Sequence, residues 1–151
     1  MRVAIRLLGP GDARVLDRVA PEVFDEPVRA DRAAEVLAEP GHLLLVALDG
    51  DLVVGQCAAV VHRHPDKATE IYIGEVGVSP AWQRQGIGRD LVTGMLEIGR
   101  DRGCAAAWLG TEHDNAAARG LYEGLGAKPP DPFILYLFPI AAERPQGTHE
   151  H

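Results

Sequence analysis

One stretch limits what this chain can fold into. Glu70-Ile71-Tyr72-Ile73-Gly74-Glu75-Val76-Gly77-Val78 reads as a strand, Ser79-Pro80 ends it, and Gln83-Arg84-Gln85-Gly86-Ile87-Gly88 leads directly into a helical pattern. Strict alternation puts Ile71, Ile73, Glu75 and Gly77 on one face of the strand, with Tyr72, Gly74, Val76 and Val78 on the other. From Gly86 the helix runs to about Arg102, with Ile87, Leu91, Met95 and Ile98 as its apolar stripe and Gly103 as its C-terminal cap. A glycine-bearing loop between a strand and a helix N-terminus gathers backbone N–H groups and the positive end of the helix dipole, which suits a pyrophosphate. Two familiar phosphate loops do not fit. A P-loop needs a lysine, and none is near; a dinucleotide fingerprint needs a third glycine where Leu91 stands.

The remaining chain bounds the partners. With 151 residues, 46% hydrophobic and 25% charged, it reads as one globular domain. Fifteen basic against 22 acidic residues leave a net charge of −7, so an overall basic field for nucleic acid is lacking and a cation is the easier partner. The longest strongly apolar run, Leu43 to Leu48, falls far short of the roughly 20 residues that span a bilayer. The N-terminus lacks the pattern of a signal peptide, so a cytoplasmic protein with no membrane partner is expected. Cys57 and Cys104 sit among apolar neighbours and read as small buried hydrophobes. His62-Arg63-His64 and His149-Glu150-His151 lack a third ligand at metal spacing, so no metal is expected and solvated histidines are the reading.

The element order follows from periodicity and stop signals. Val3 to Leu8 is a strand, and Asp12 would cap a helix carrying Val15, Leu16 and Val19. A second helix starts near Asp31 and finishes at Pro40-Gly41, after a loop from Pro21 to Arg29. His42 to Leu48 and Leu52 to Val61 form a hairpin about Asp49-Gly50. Beyond the central helix come a short strand at Ala105 to Leu109, a helix capped by Asp114 or Asn115, and a last strand from Phe133 to Phe138. The order indicates an α/β or α+β fold with a mixed sheet.

Gln83-x-x-Gly86-x-Gly88 matches the acetyl-CoA signature Gln/Arg-x-x-Gly-x-Gly/Ala, in the strand–loop–helix setting that signature requires, so the chain resembles the GNAT superfamily of N-acetyltransferases. Asn115-Ala116-Ala117-Ala118-Arg119-Gly120-Leu121-Tyr122-Glu123-Gly124-Leu125-Gly126-Ala127 is similar to that family's Asn-x-x-Ala-x-x-x-Tyr-x-x-x-Gly-Phe segment, with Ala127 in place of Phe. The resemblance implies a domain over residues 1–140 and a polar tail over 141–151. It also implies a mixed, mostly antiparallel sheet of about six or seven strands flanked by about four helices. Phe24-Asp25-Glu26-Pro27, the segment Leu48 to Gly55, Glu70 to Ile73 and Arg84 to Ile87 look like the small aminoglycoside 3-N-acetyltransferases. Glu75 and Asn115 stand where those enzymes carry Asp.

Roles follow from the resemblance, each beside a plainer one. Val76, Gly77 and Val78 would meet the pantetheine arm, or simply pair in the ladder. Gln83, Arg84, Gln85, Gly86, Ile87, Gly88 and Arg89 would hold the pyrophosphate of acetyl-CoA, both arginines also being readable as solvated side chains; Asn115 and Tyr122 complete the cofactor set. Tyr122 would protonate the leaving thiolate, or pack beside Leu121 and Leu125. Glu75 would take the amine proton or bind the cation, or else face solvent or an arginine; Glu112 is the second candidate base. Asp25, Glu26, Glu75, Glu112 and Asp114 would line a cleft for a cationic acceptor. The implied activity is transfer of acetyl from acetyl-CoA to a primary amine of a cationic small molecule, an aminoglycoside among the candidates. A protein or peptide N-acetyltransferase and a non-catalytic acyl-CoA sensor stay open, as does a homodimer.

Overall fold

The computed structural model describes residues 3–141, so the terminal His149-Glu150-His151 and most of the 141–151 tail lie outside the described residues. Five strands form one sheet in the order β1-β2-β3-β4-β5: β1 Ala4–Leu8, β2 His42–Asp49, β3 Leu52–His62, β4 Glu70–Val78 and β5 Ala106–Trp108. The first four pair antiparallel, and β5 joins β4 in parallel. Three α-helices accompany them: α1 Ala30–Ala38, α2 Ile87–Asp101 and α3 Ala116–Gly124. The mixed α/β sheet is as expected, but among the described residues it has fewer strands and helices than the six or seven and four anticipated.

Two sequence expectations change for local reasons. Asp12 caps no helix; its carboxylate accepts from the backbone N–H of Gly9 at 2.8 Å and from Arg6 at 2.9 Å, leaving a short 3-10 turn at Ala13–Asp17. Phe133 to Phe138 is in no ladder, and its side chains are exposed. The tight hairpin is where Asp49-Gly50 placed it, with Gly50 at φ 64°.

The parallel pairing of β4 with β5 requires a crossover, and α2 supplies it, packed on one face of the sheet. Gly94 and Gly99 let the helix settle onto β2 and β4. A Cβ at Gly94 would lie 3.0 Å from Leu45 Cδ2, and one at Gly99 would lie 3.1 Å from Ile71 Cγ2. Leu91 and Met95 are fully buried there, each contributing about 1.5–3 kcal/mol through burial. On the opposite face the segment after the 3-10 turn crosses β4 so closely that a Cβ at Gly77 would lie 2.4 Å from the Val23 carbonyl oxygen.

Register corrects the assignment of faces along β4. Ala58 of β3 pairs with Glu75, but the next residue, Ala59, pairs with Ile73, so Gly74 is an extra residue in β4. Such a bulge reverses the alternation beyond it. Ile71 and Ile73 are buried on the α2 side, whereas Glu75 and Gly77 turn to the side crossed by Val23. Strict alternation had put all four together.

Candidate active site

β4 and β5 pair only over Glu70–Tyr72 and Ala106–Trp108, where the rings of Tyr72 and Trp108 stack with centroids 4.3 Å apart. Beyond Tyr72 the strands part. The opening is a cavity of about 230 Å³, walled on the β4 side by Ile73, Gly74, Glu75 and Val76, and opposite by Leu109, Gly110, Thr111, Asn115, Ala118 and Tyr122. The β5-facing edge of β4 from Ile73 to Val78 therefore lacks a ladder partner among the described residues. Val76 and Val78 sit in this free stretch, still paired on their other side with Cys57 and Gly55 of β3.

At the end of β4 the loop before α2 has the expected form. The Gln83 side chain donates to the Val78 carbonyl at 2.9 Å and ties the loop to the strand. Arg84 at φ 64° and Gly86 at φ 83° both adopt left-handed backbone, which a non-glycine residue such as Arg84 does at a cost. Gly86 is the N-cap of α2 and has open space where a Cβ would point. Gln83, Arg84, Gln85 and Arg89 are exposed, and Ile87 is buried beneath the loop. Gly88 is a contact point between elements: its Cβ position lies 3.6 Å from Leu121 of α3 and 3.8 Å from Val78.

α3 forms the other wall. Asn115 caps it by accepting from the Ala118 N–H at 3.0 Å, so its side-chain oxygen is committed to the helix, and Asp114 is not the cap. Tyr122 is half-buried; burial, with a smaller contribution from Cys57, holds its phenol above the usual tyrosine range. The Cys57 thiol is pushed up to about 12 by burial and stays protonated, an inert core group rather than a nucleophile.

Glu75 is half-buried, and its carboxyl is held above the ordinary glutamate range by burial first and by the charge of Asp25 second; a hydrogen bond from Gln56 acts in the opposite sense. Gln56 is the residue that sequence reasoning passed over. It is fully buried, its amide N–H donates to the Val23 carbonyl at 3.3 Å, and its Oε1 has no hydrogen-bond partner. A lone amide inside the otherwise apolar run Leu52 to Val61 was the available signal. Asp25, itself exposed, acts on Glu75 through its charge. Glu26 is exposed, and Glu112 and Asp114 are exposed in the loop between β5 and α3, outside the cavity walls named above. A second hollow of about 240 Å³ opens on the face that carries Glu75; Phe24, Val36, Leu44, Val60 and Tyr72 give it a mainly apolar lining.

The histidines serve locally. His62 and His64 stack with centroids 4.3 Å apart, and His64 meets Glu70 at 3.0 Å, so His64 is paired rather than merely solvated. No group of three or more His, Cys, Asp or Glu among the described residues is arranged to hold a metal ion. No helix among them is long and apolar enough to cross a membrane.

Comparison with known proteins agrees with this geometry. The mycothiol acetyltransferase of Thermomonospora curvata is 41% identical over 101 residues, which are 67% of this chain and 32% of that protein. The chain thus spans about a third of the length of that relative. Thialysine N-epsilon-acetyltransferase of Bos taurus is 29% identical over 71% of this chain and 66% of its own length. Among solved structures, an aminoglycoside acetyltransferase from an uncultured soil metagenomic sample, in complex with trehalose, superposes with a TM-score of 0.80 at 18% identity, over 92% of this chain and 97% of that one. At that identity the likeness speaks for the fold alone. The GNAT acetyltransferase family matches residues 13–127, and with the split β4–β5 edge and the left-handed loop before α2 already in place, the chain belongs to that family.

Proposed function

We propose that the chain transfers the acetyl group of acetyl-CoA to a primary amine of a cationic small molecule. The observation that carries this reading is the parting of β4 from β5 between Glu75 and Tyr122, beside the left-handed loop that opens α2. The N–H groups of residues 84–88 and the positive end of α2 suit a pyrophosphate, and no Cβ at Gly86 obstructs it. Val76 and Val78 offer a free strand edge to an extended pantetheine arm. When bound, acetyl-CoA supplies a thioester carbonyl. Glu75, held above the ordinary glutamate range, is suited to accept the proton that an ammonium must lose before it attacks. The Val76 N–H is the group we assign to the developing oxyanion. As the new C–N bond forms and the C–S bond breaks, Tyr122 gives its proton to the leaving sulfur, a role its raised pKa favours by keeping the phenol protonated at neutral pH. Glu112, exposed in the β5–α3 loop, is the second candidate base.

The acceptor's charge is met by Asp25 and Glu75. An aminoglycoside fits that charge, whereas the apolar hollow beside it, lined by Phe24, Val36 and Val60, favours an amine with a compact apolar substituent. A peptide acceptor is the reading to exclude first, since the Escherichia coli ribosomal protein bS18 alanine N-acetyltransferase is 43% identical over 61 residues, 40% of this chain. Acetyl-CoA should raise the melting temperature, since a ligand that binds only the native state stabilises it. Gly86→Val, forced into φ 83°, should abolish the shift. Thiol release with aminoglycosides, simple aralkylamines and peptides then assigns the acceptor. A chain that binds acetyl-CoA but releases thiol with no amine would be a sensor.

A further inference from the structure

The Gln56 amide is fully buried in β3, and its two ends are treated differently. Nε2 donates to the Val23 carbonyl oxygen at 3.3 Å, while Oε1 has no hydrogen-bond partner. A carbonyl can only accept, so Val23 fixes which end of the amide is the nitrogen. A buried amide oxygen left unpaired is destabilising, and its presence in a folded chain calls for a reason.

Register supplies the neighbour. Gln56 pairs with Gly77 and Ala58 with Glu75, so Gln56 and Glu75 share one face of the sheet as diagonal neighbours. No side chain stands at Gly77, where a Cβ would lie 2.4 Å from the Val23 oxygen and 3.7 Å from Gln56 Nε2. Gln56 thereby reaches across the pair and donates to the Glu75 carboxylate. Both N–H groups of the amide are then used, one on Val23 and one on Glu75. An ionised carboxylate has no hydrogen to give back, which leaves Oε1 unpaired.

We propose that Gln56 is a positioning residue for acetyl transfer, holding the Glu75 carboxylate through Nε2 and accepting at Oε1 the O–H that Glu75 carries once it has taken the ammonium proton. This role depends on Glu75 acting as the base proposed above. The ammonium N–H bond breaks, its proton goes to a Glu75 oxygen, and the new O–H donates to Oε1 without leaving Glu75. The acid returns that proton to solvent before the next turnover. Solvent does not reach Oε1, because Gln56 is fully buried. A primary amide presents a donor beside an acceptor, so one side chain serves both the ionised and the protonated carboxyl. Its other end steadies the acceptor's loop. Val23 precedes Phe24, which lines the apolar hollow, and Asp25, whose charge acts on Glu75. Glu22, just before it, takes left-handed backbone at φ 66°, which a non-glycine residue keeps only where its surroundings hold it.

Both partners can be titrated. The other titratable groups around Glu75 are Asp25 on the loop, His42 of β2 and Tyr72 along the hollow, and Tyr122 across the cleft; β3 presents the uncharged Ala58 and Gln56. In the unliganded chain, with Glu and Gln side-chain carbonyl carbons isotope-labelled for NMR, the Gln56 carbon should shift with the same midpoint as the Glu75 carbon. Its carbonyl gains a hydrogen bond only when Glu75 is protonated. That shift should vanish in Glu75→Gln, which separates it from the titration of Asp25. Gln56→Met keeps the length and removes both hydrogen-bonding ends. It should raise the Glu75 midpoint by about one pH unit, because the lost N–H served the charged form. The acidic limb of kcat/KM should move by the same amount, and kcat should fall at least about tenfold as the base loses its position. A side chain that only braces the loop would instead raise the KM for the amine and leave the midpoint in place. A Gln56 carbon silent through the Glu75 titration, or a Glu75 midpoint unmoved in Gln56→Met, overturns the proposal. If Gln56→Met does not fold, the titration of the wild type decides alone. Full activity in Glu75→Gln, with a shared midpoint in the wild type, would remove Glu75 as the base and leave the hydrogen-bonded pair standing.

Discussion

The cleft wall that carries Glu75 and Val76 belongs to the best-packed part of the molecule, whereas the wall that carries Asn115 and Tyr122 barely enters it. Among the described residues every buried apolar side chain of the core lies between Leu8 and Met95, and α3 contains no buried residue. β5 offers three residues to the sheet, two of them exposed. The contrast separates two tasks. Glu75 is fixed by its pairing with Ala58, next to the bulge at Gly74, and by a hydrogen bond from Gln56, which suits a group whose proton affinity depends on its surroundings. Tyr122 rides on a helix that reaches the core only through the partly buried Leu121, Tyr122 and Leu125, with Leu121 beside Gly88, so its wall is held less firmly.

The largest expected effect separates chemistry from packing. Tyr122→Phe should lower kcat about 10²- to 10⁴-fold, the range for a lost general acid, with little change in melting temperature. Wild-type turnover would reduce Tyr122 to packing. Next comes stability measured by urea unfolding on each side of the contrast. Leu91→Ala, fully buried under the sheet, should cost about 2–5 kcal/mol, while Leu121→Ala, half-buried on α3, should cost about 1–2 kcal/mol. Equal losses would show that α3 is as much core as α2. The smallest pair differs in sign. Gly77→Ala puts a Cβ 2.4 Å from the Val23 oxygen and should destabilise by about 1–3 kcal/mol, moving the segment that bears Asp25. Gly120→Ala, mid-helix in α3 with open space around it, should stabilise by about 0.5–1 kcal/mol.

The sequence carried the parts of this contrast that depend on local signals. The Asp49-Gly50 turn, the Gly86 start and Gly103 end of α2, and the Asn115 cap are short-range chemistry, and each is present. The bulge at Gly74 was invisible, because a period of two cannot register one inserted residue; only pairing with Ala58 and Ala59 exposes it. For the same reason the face of Glu75 was misassigned. Phe133 to Phe138 has the composition of a strand, but a ladder needs a partner, and partnership is a long-range property that propensity does not encode. The acidic residues near the cleft were equally legible by type and not by place: Asp25 acts on Glu75, while Glu112 and Asp114 stand outside the cavity walls.

The central claim is that Glu75 is the base on the firm wall, and its pH dependence tests that claim most directly. A carboxylate must be ionised to accept a proton, and Glu75 is held above the ordinary value of 4.5 by burial and Asp25. The kcat/KM profile of the wild type should therefore fall toward acid with a limb above pH 4.5, separate from the higher limb at which the amine itself loses its proton. Glu75→Gln keeps the shape and cannot take a proton, so it should lower kcat and abolish the acidic limb while the amine limb stays. An unchanged profile in Glu75→Gln, with kcat intact, would contradict the account and transfer the base to Glu112.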